Sequence, residues 1–348
     1  MDKIYFKPED LNHFRDLVHN AKSITLLTHT SPDGDTLGCC LGLYGVLGKM
    51  ALKQEINIIS PDELPAYLMW MKDCDKVIVH TQNPERSLAV IQKSDLIICI
   101  DFNGIRRVRY EDLTEAININ KHPRVMIDHH PEPENQFSIQ FSYPELSSTC
   151  ELLYHILDAM NWQKFVTVDA ANAILCGIIT DTGCFNYSSE SYHTFNVVAE
   201  LIAGGAQKSF VIDKLYHHNP ELRLRLQGYI LYRKLDILKE YQTAIITLKQ
   251  EELKEFGATK DDTEGFVNMP LEIDDINCSC FVREDPDQIK ISLRSTGDFP
   301  VNEIAKRAFG GGGHKNAAGA EYNGTLEEAK NILIEKLVEI REEYNQSK

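Results

Sequence analysis

The chain has 348 residues, 43% hydrophobic and 25% charged, with 52 acidic against 36 basic side chains and a formal net charge of -16. These proportions exclude a disordered or fibrous protein, and the length predicts two cores rather than one. The acidic balance argues against duplex DNA, which is gripped mainly through its phosphates, while leaving room for a local basic pocket.

Nine cysteines include no CxxC pair, and Cys278 and Cys280 alternate in a strand-like run, so neither a zinc ribbon nor a disulfide framework is expected. Free thiols of this kind fit a reducing cytoplasm. Near the first residue, Asp2, Lys3, Lys7, Glu9 and Asp10 leave little apolar sequence for a signal peptide. The most apolar stretch, 38–48, is shorter than the roughly 20 residues that a membrane-spanning helix needs, so no membrane segment is expected.

Continuous apolar, β-rich runs at 23–28, 55–59, 77–80, 95–100 and 124–127, separated by helical stretches, predict a parallel sheet covered by helices on both faces. Helical spacing follows at 147–160, 168–179 and 195–203, and Ser148 with Glu151 forms a capping box read as structural only. Gly204-Gly205 ends the last of these, and 222–238 reads as a charged connecting helix. The predicted fold is therefore an α/β domain over 1–210, a connecting segment over 211–240, and a smaller α+β domain over 241–348. In the latter, strands are expected at 242–248, 277–283 and 288–295, and helices at 301–309 and 326–344.

Several polar clusters fall at the predicted carboxyl ends of strands, where open α/β sheets bind ligands. The first is the turn Thr28-His29-Thr30-Ser31-Pro32-Asp33-Gly34-Asp35, which on its own reads equally as a Pro-Asp-Gly turn with a capping Asp. Asp101 closes a second apolar strand, and Asp128-His129-His130 closes a third. A lone acid at such a point is usually a turn former, but metal-ligand side chains at three separate strand ends carry more weight. Thr180-Asp181-Thr182-Gly183 follows a helix and alone reads as its C-terminal turn.

Gathered in one cleft, Asp33, Asp35, Asp101 and Asp181 would repel one another, and no arginine or lysine adjoins them in sequence. Two divalent cations would balance them. A mixed carboxylate and imidazole set suits Mn2+ better than Mg2+, with zinc and iron left open. In the glycine run 310–319, read alone as a flexible loop, consecutive glycines let backbone N–H groups approach an anion. His314 and Arg294 are placed to add charge-assisted hydrogen bonds.

Taken together, the H-T-S-P-D-G-D turn, the isolated Asp101, the D-H-H triplet and T-D-T-G resemble the four signature motifs of DHH phosphoesterases, and GGGGHKNAAG at 310–319 resembles the GGGH signature of the DHHA1 domain. The resemblance spans nearly the whole chain. Its length and the segment Asp262-Thr-Glu-Gly-Phe-Val-Asn are most similar to the nano-RNases that also act as adenosine 3',5'-bisphosphate (pAp) phosphatases.

That resemblance implies that His29, Asp33 and Asp101 hold one metal ion, and that Asp35, Asp101, His129 and Asp181 hold the other. It implies that His130 contacts the scissile phosphate and protonates the leaving oxygen, that Asp128 orients it, and that Arg294, Gly311, Gly312, Gly313 and His314 bind substrate. The expected substrates are short single-stranded RNA or a small nucleotide, with a homodimer left open. Cys39 departs from the family's usual serine, a change that touches packing rather than chemistry. The rival readings are a cyclic-di-AMP or linear-dinucleotide phosphodiesterase using the same ligands, and a catalytically inactive nucleotide-binding module, which would be expected to lack a ligand.

Overall fold

A computed structural model describes residues 4–50, 53–187 and 189–346. The chain divides into two compact units, Met1–His218 and Asn219–Lys348. In the first, α1 (Pro8–Asn20) precedes β1 (Ser23–Leu27), α2 (Gly34–Lys49), β2 (Glu55–Ser60), β3 (Ile78–Val79), α3 (Pro84–Lys93) and β4 (Leu96–Ile100). Then follow α4 (Glu111–Ile119), β5 (Arg124–Asp128), β6 (Ile139–Ser142), α5 (Thr149–Ala159), α6 (Val168–Asp181), α7 (Tyr192–Ala203) and α8 (Lys208–Tyr216).

The six strands are parallel, in the order β3-β2-β1-β4-β5-β6. Alternate residues of β4 feed two separate cores. Leu96, Ile98 and Ile100 join Leu37, Leu43 and Ile174 on one face, while Ile97 and Cys99 join Ile91, Leu113 and Ile117 on the other. Burial on both faces is what makes these runs continuously apolar, as the α/β reading requires. Strand β6 was not expected from the sequence: its four residues alternate between buried and half-buried, the pattern of a short edge strand. The direction of strand order reverses between β1 and β4, so the loops leaving their carboxyl ends diverge and open a crevice.

Helices α2 and α6 pack closely across one face of this sheet. Gly34, Gly38 and Gly42 of α2 meet Thr180, then Ala173 and Gly177, then Ile174 of α6, so the two helices run antiparallel. A Cβ on Gly38 would lie 2.4 Å from the Ala173 carbonyl oxygen. The seam therefore brings the N-terminus of α2 against the C-terminus of α6, where Asp181 lies.

The second unit begins with α9 (Glu221–Tyr229), β7 (Leu235–Leu238), β8 (Thr243–Leu248), α10 (Gln250–Glu255) and β9 (Cys278–Glu284). It continues through β10 (Ile289–Ser295), α11 (Val301–Phe309), β11 (Gly312–His314), β12 (Ala317–Tyr322) and α12 (Leu326–Gln346). Its sheet runs β11-β12-β10-β9-β8-β7, with β8 and β9 parallel and the other pairs antiparallel. Ile291, Leu293, Val282, Ile304, Leu333 and Leu337 form its main core.

Two elements differ from the sequence expectation. The helix predicted over 222–238 stops at Tyr229, passes through a π turn at Ile230–Lys234, and gives way to β7, whose Leu235 and Ile237 pair with Ile246 and Ala244. Ladder hydrogen bonds to β8 there replace helical ones. The glycine run, where no strand is expected from the sequence, forms the β11–β12 hairpin, and Gly311 and Gly313 are needed for its close pairing. A Cβ on Gly311 would lie 2.3 Å from the Gly319 carbonyl, and one on Gly313 2.4 Å from that of Ala317.

Gly38→Ala is expected to cost about 1–3 kcal/mol, the usual range for overpacking a close contact, measured as a lowered midpoint of chemical denaturation. Gly48→Ala on the same helix, where an added Cβ meets nothing within 4 Å, should be neutral or stabilising. Equal midpoints for the two variants would remove the close-approach explanation of the seam.

Candidate metal centre

Three adjacent strands of the first unit deliver polar groups to the crevice at the strand-order reversal. His29 follows β1, Asp101 follows β4, and Asp128 ends β5 with His129 and His130 behind it. Asp101 sits at φ +64, a left-handed conformation that Asp tolerates better than most residues, and its N–H donates to the Ile127 carbonyl at 2.9 Å. This abrupt turn at the end of a buried strand brings its carboxylate back over the sheet edge.

Asp33 does two things at once. Its Oδ1 caps α2 by accepting from the backbone N–H groups of Asp35 and Thr36, each at 3.0 Å. Its Oδ2 lies 4.0 Å from His29 Nε2. The capping and site readings of this residue are thus both true, on different oxygens.

Each histidine has its Nδ1 committed elsewhere, which sets the direction of Nε2. His29 Nδ1 pairs with the Thr30 carbonyl at 2.7 Å, directing Nε2 to Asp101 Oδ2 at 3.3 Å. His129 Nδ1 pairs with the Leu146 carbonyl at 3.1 Å, and its Nε2 lies 3.4 Å from Asp181, 3.8 Å from Asp101 and 3.9 Å from Asp35. His130 Nδ1 donates to Asp128 Oδ1 at 2.8 Å.

Within the first unit, three sets of potential ligand atoms therefore lie within 4.8 Å of one another: His29, Asp33 and Asp101; Asp35, Asp101 and His129; and Asp101, Asp128 and His130. Asp101 belongs to all three. Asp181 reaches the second set through His129.

The electrostatics match a cation-binding site. Burial, together with the Asp101 and Asp181 carboxylates, holds Asp35 well above the usual carboxylate range. Burial pushes Asp181 up to about 6, with Asp101 and Asp33 adding to the shift and His129 opposing it. Burial works against charge on His129, yet Asp181, Asp35 and Asp101 raise it to about 9. His29 is likewise raised by Asp101 and Asp33 against burial, with Arg107 opposing. Asp101 is instead held well below the usual carboxylate range: burial disfavours its charge, but His29, His130 and His129 outweigh it. Four groups thus shift towards holding a proton, the response of buried oxygen and nitrogen donors that lack sufficient positive charge. The donor set fits divalent cations by both chemistry and spacing.

The substrate-binding residues expected from the sequence lie in the second unit. In the sheet register, Ala317 of β12 pairs with Arg294 of β10 on one side and with His314 of β11 on the other. Directly opposed residues share a face, so Arg294 and His314 flank Ala317 on one side of the sheet. A Cβ on Gly312 would meet nothing within 4 Å, unlike one on Gly311 or Gly313.

Two contributors were not anticipated. The first turn of α5 reaches Asp35 across 114 residues: Thr149 and Cys150 N–H groups donate to its two oxygens at 2.7 and 2.9 Å, and Thr149 Oγ1 donates to Asp101 Oδ1 at 2.8 Å. The Ser148 capping box is the visible signal in the sequence, where it marks only a helix start. The second is Arg107, whose carbonyl accepts from Thr30 N–H and Oγ1 at 3.1 and 2.8 Å, fixing a half-buried arginine beside the His29 turn. Neighbouring Arg106 is instead paired with Glu134.

Comparison with known proteins identifies the family of both domains. Residues 23–178 match the DHH family, N-terminal domain, and residues 240–343 match the DHHA1 domain. The crystal structure of an exopolyphosphatase-related protein from Bacteroides fragilis is 37% identical, with a TM-score of 0.91 over 98% of both chains. A bifunctional oligoribonuclease and PAP phosphatase NrnA of Thermus thermophilus is 27% identical, covering 93% of this chain and 91% of its own. A cyclic-di-AMP phosphodiesterase GdpP of Bacillus subtilis is 25% identical across 95% of this chain, a stretch that makes up 49% of its own length. With both domains matched in order and a relative of this identity along its whole length, the chain belongs to the DHH family of phosphoesterases, hydrolases of phosphate esters, and carries a DHHA1 domain after its DHH domain.

Proposed function

We propose that this protein hydrolyses short oligoribonucleotides to mononucleotides and removes the 3'-phosphate of pAp, using two divalent ions, Mn2+ by preference. The observation that carries this reading is the sharing of Asp101 between the His29–Asp33 and Asp35–His129 ligand sets. His29, Asp33 and Asp101 would hold one ion, and Asp35, Asp101, His129 and Asp181 the other. Bound there, the ions would supply Lewis acidity and water activated at neutral pH.

The remaining steps belong to the chain's own side chains. His130 Nδ1 donates to Asp128 Oδ1, which orients the ring, and His130 would protonate the leaving oxygen. Arg107 adds a guanidinium donor for a phosphoryl oxygen. Arg294, Gly312 and His314 bind the rest of the substrate. Nine free cysteines, eight of them buried, suit a reducing compartment such as the cytoplasm. No helix among the described residues is long and apolar enough to cross a membrane.

The similarity to a cyclic-di-AMP phosphodiesterase supports a second reading, a dinucleotide phosphodiesterase. The purified protein should be incubated with Mn2+ and pAp, pApA, cyclic di-AMP and RNAs of graded length. The proposed function predicts that pAp and the shortest RNAs turn over fastest, that rates fall with length, and that chelation abolishes them all. Faster turnover of cyclic di-AMP would favour the second reading, and a long strand cleaved as fast as a dinucleotide would contradict both.

His130→Ala should lower kcat on RNA by about 10²–10⁴, the usual contribution of a general acid, with little change in KM. The loss should be much smaller on a p-nitrophenyl phosphodiester, whose leaving group needs no proton. Equal losses on the two substrates would exclude the acid role. Arg107→Ala should reduce kcat/KM about 10–100-fold, matching the roughly 1.5–3 kcal/mol of a hydrogen bond to a charged group. An unchanged kcat/KM would place its guanidinium off the reaction path.

A further inference from the structure

The carboxylate shared by the ligand sets is itself held from behind. Thr149, at the first position of α5, has its backbone N–H on Asp35 and its hydroxyl on Asp101. It is fully buried, as is Cys150, whose N–H completes the grip on Asp35 and whose Sγ donates to the Asp35 carbonyl at 3.4 Å. One residue therefore fixes two carboxylates from elements that are far apart in sequence.

The turn that presents Thr149 is rigid on its other side. Ser148 Oγ accepts from the Glu151 N–H at 3.0 Å. The buried Glu151 carboxylate accepts from Ser147 N–H at 3.0 Å and from Thr194 Oγ1 of α7 at 2.9 Å. Gly177 of α6 closes the remaining side, where a Cβ would lie 2.2 Å from Cys150 Sγ and 2.9 Å from Asp35 Oδ1. Helix α5 cannot shift along or away from Asp35 without breaking several buried contacts.

We propose that Thr149 is a positioning residue for the metal centre: its hydroxyl sets the orientation of the Asp101 carboxylate relative to Asp35, and thereby the affinity of both ion positions. This rests on the metal reading given above. Hydrogen-bond partners behind metal ligands typically change affinity 10–100-fold when removed. In Thr149→Val the shape is kept and both backbone N–H bonds to Asp35 remain. Only the donor to Asp101 Oδ1 is lost.

The test is Mn2+ binding to the full-length protein, followed by the electron paramagnetic resonance signal of free Mn2+, with the thermal midpoint of the metal-free protein measured in parallel. Thr149→Val should bind Mn2+ about 10–100-fold more weakly. Thr149→Ser, which retains the hydroxyl, should bind as the wild type does, and kcat/KM at subsaturating Mn2+ should follow the same order. If the valine variant does not fold, Thr149→Ala removes the same hydroxyl and carries the same expectation. Wild-type affinity in the valine or alanine variant, or a loss in the serine variant as large as that in valine, would overturn the proposal. A wild-type protein that binds no Mn2+ would instead overturn the metal reading beneath it.

Discussion

Crowding carboxylates into a buried crevice is the constraint around which the first unit is organised. Two unit charges within 4.8 Å of each other repel by at least about 3 kcal/mol at an effective dielectric constant near 20, and each also loses hydration. Asp35 faces both penalties. Two backbone N–H donors from α5, at roughly 1.5–3 kcal/mol each for bonds to a charged group, offset much of that cost. The residual imbalance appears as raised pKa values at Asp35, Asp181, His29 and His129. The fold keeps the carboxylates close because the surrounding donors make the arrangement tolerable, and because cations would complete it.

The contacts that create this crowding are mostly backbone contacts. The glycine seam lets α2 approach α6 closely enough to set Asp33 and Asp35 against Asp181. The left-handed turn at Asp101 converts the end of a buried strand into a ligand position. The reversal of strand order between β1 and β4 supplies the space into which both project. The chemistry-bearing side chains are few, and the sites that receive them are fixed by elements with no reacting atoms.

Much of this was legible in the sequence for a specific reason. Strands buried on both faces are continuously apolar, so their ends are sharply marked, and the polar residues at those ends stand out. That made His29, Asp101 and Asp128 conspicuous and the parallel sheet readable. The contributions of α5 and Arg107 were not legible, because both depend on long-range placement. Nothing local distinguishes a threonine that starts a helix from one that also orients a carboxylate 48 positions away. The β11–β12 hairpin was hidden for another reason: glycine and alanine carry almost no strand pattern, and its pairing is set by the close approach of backbones. The short β7 was masked by charged residues that continue the helical spacing of α9 beyond the point where pairing with β8 takes over.

The acidic character of the whole chain has a consequence for the size of ligand it can hold. A protein that binds long nucleic acid gains affinity from each phosphate it neutralises, through release of condensed counterions. Here the net charge is -16, and the basic groups assigned to substrate in the proposed function are few: Arg107 in the first unit, Arg294 and His314 in the second. Each further phosphate of a longer strand would be set against a chain of 52 acidic and 36 basic side chains, so extension would add repulsion. The proposed preference for short substrates would then follow from the charge balance of the chain. It should strengthen as ionic strength falls, because the repulsion on distant phosphates is screened over only about 10 Å at 0.1 M salt.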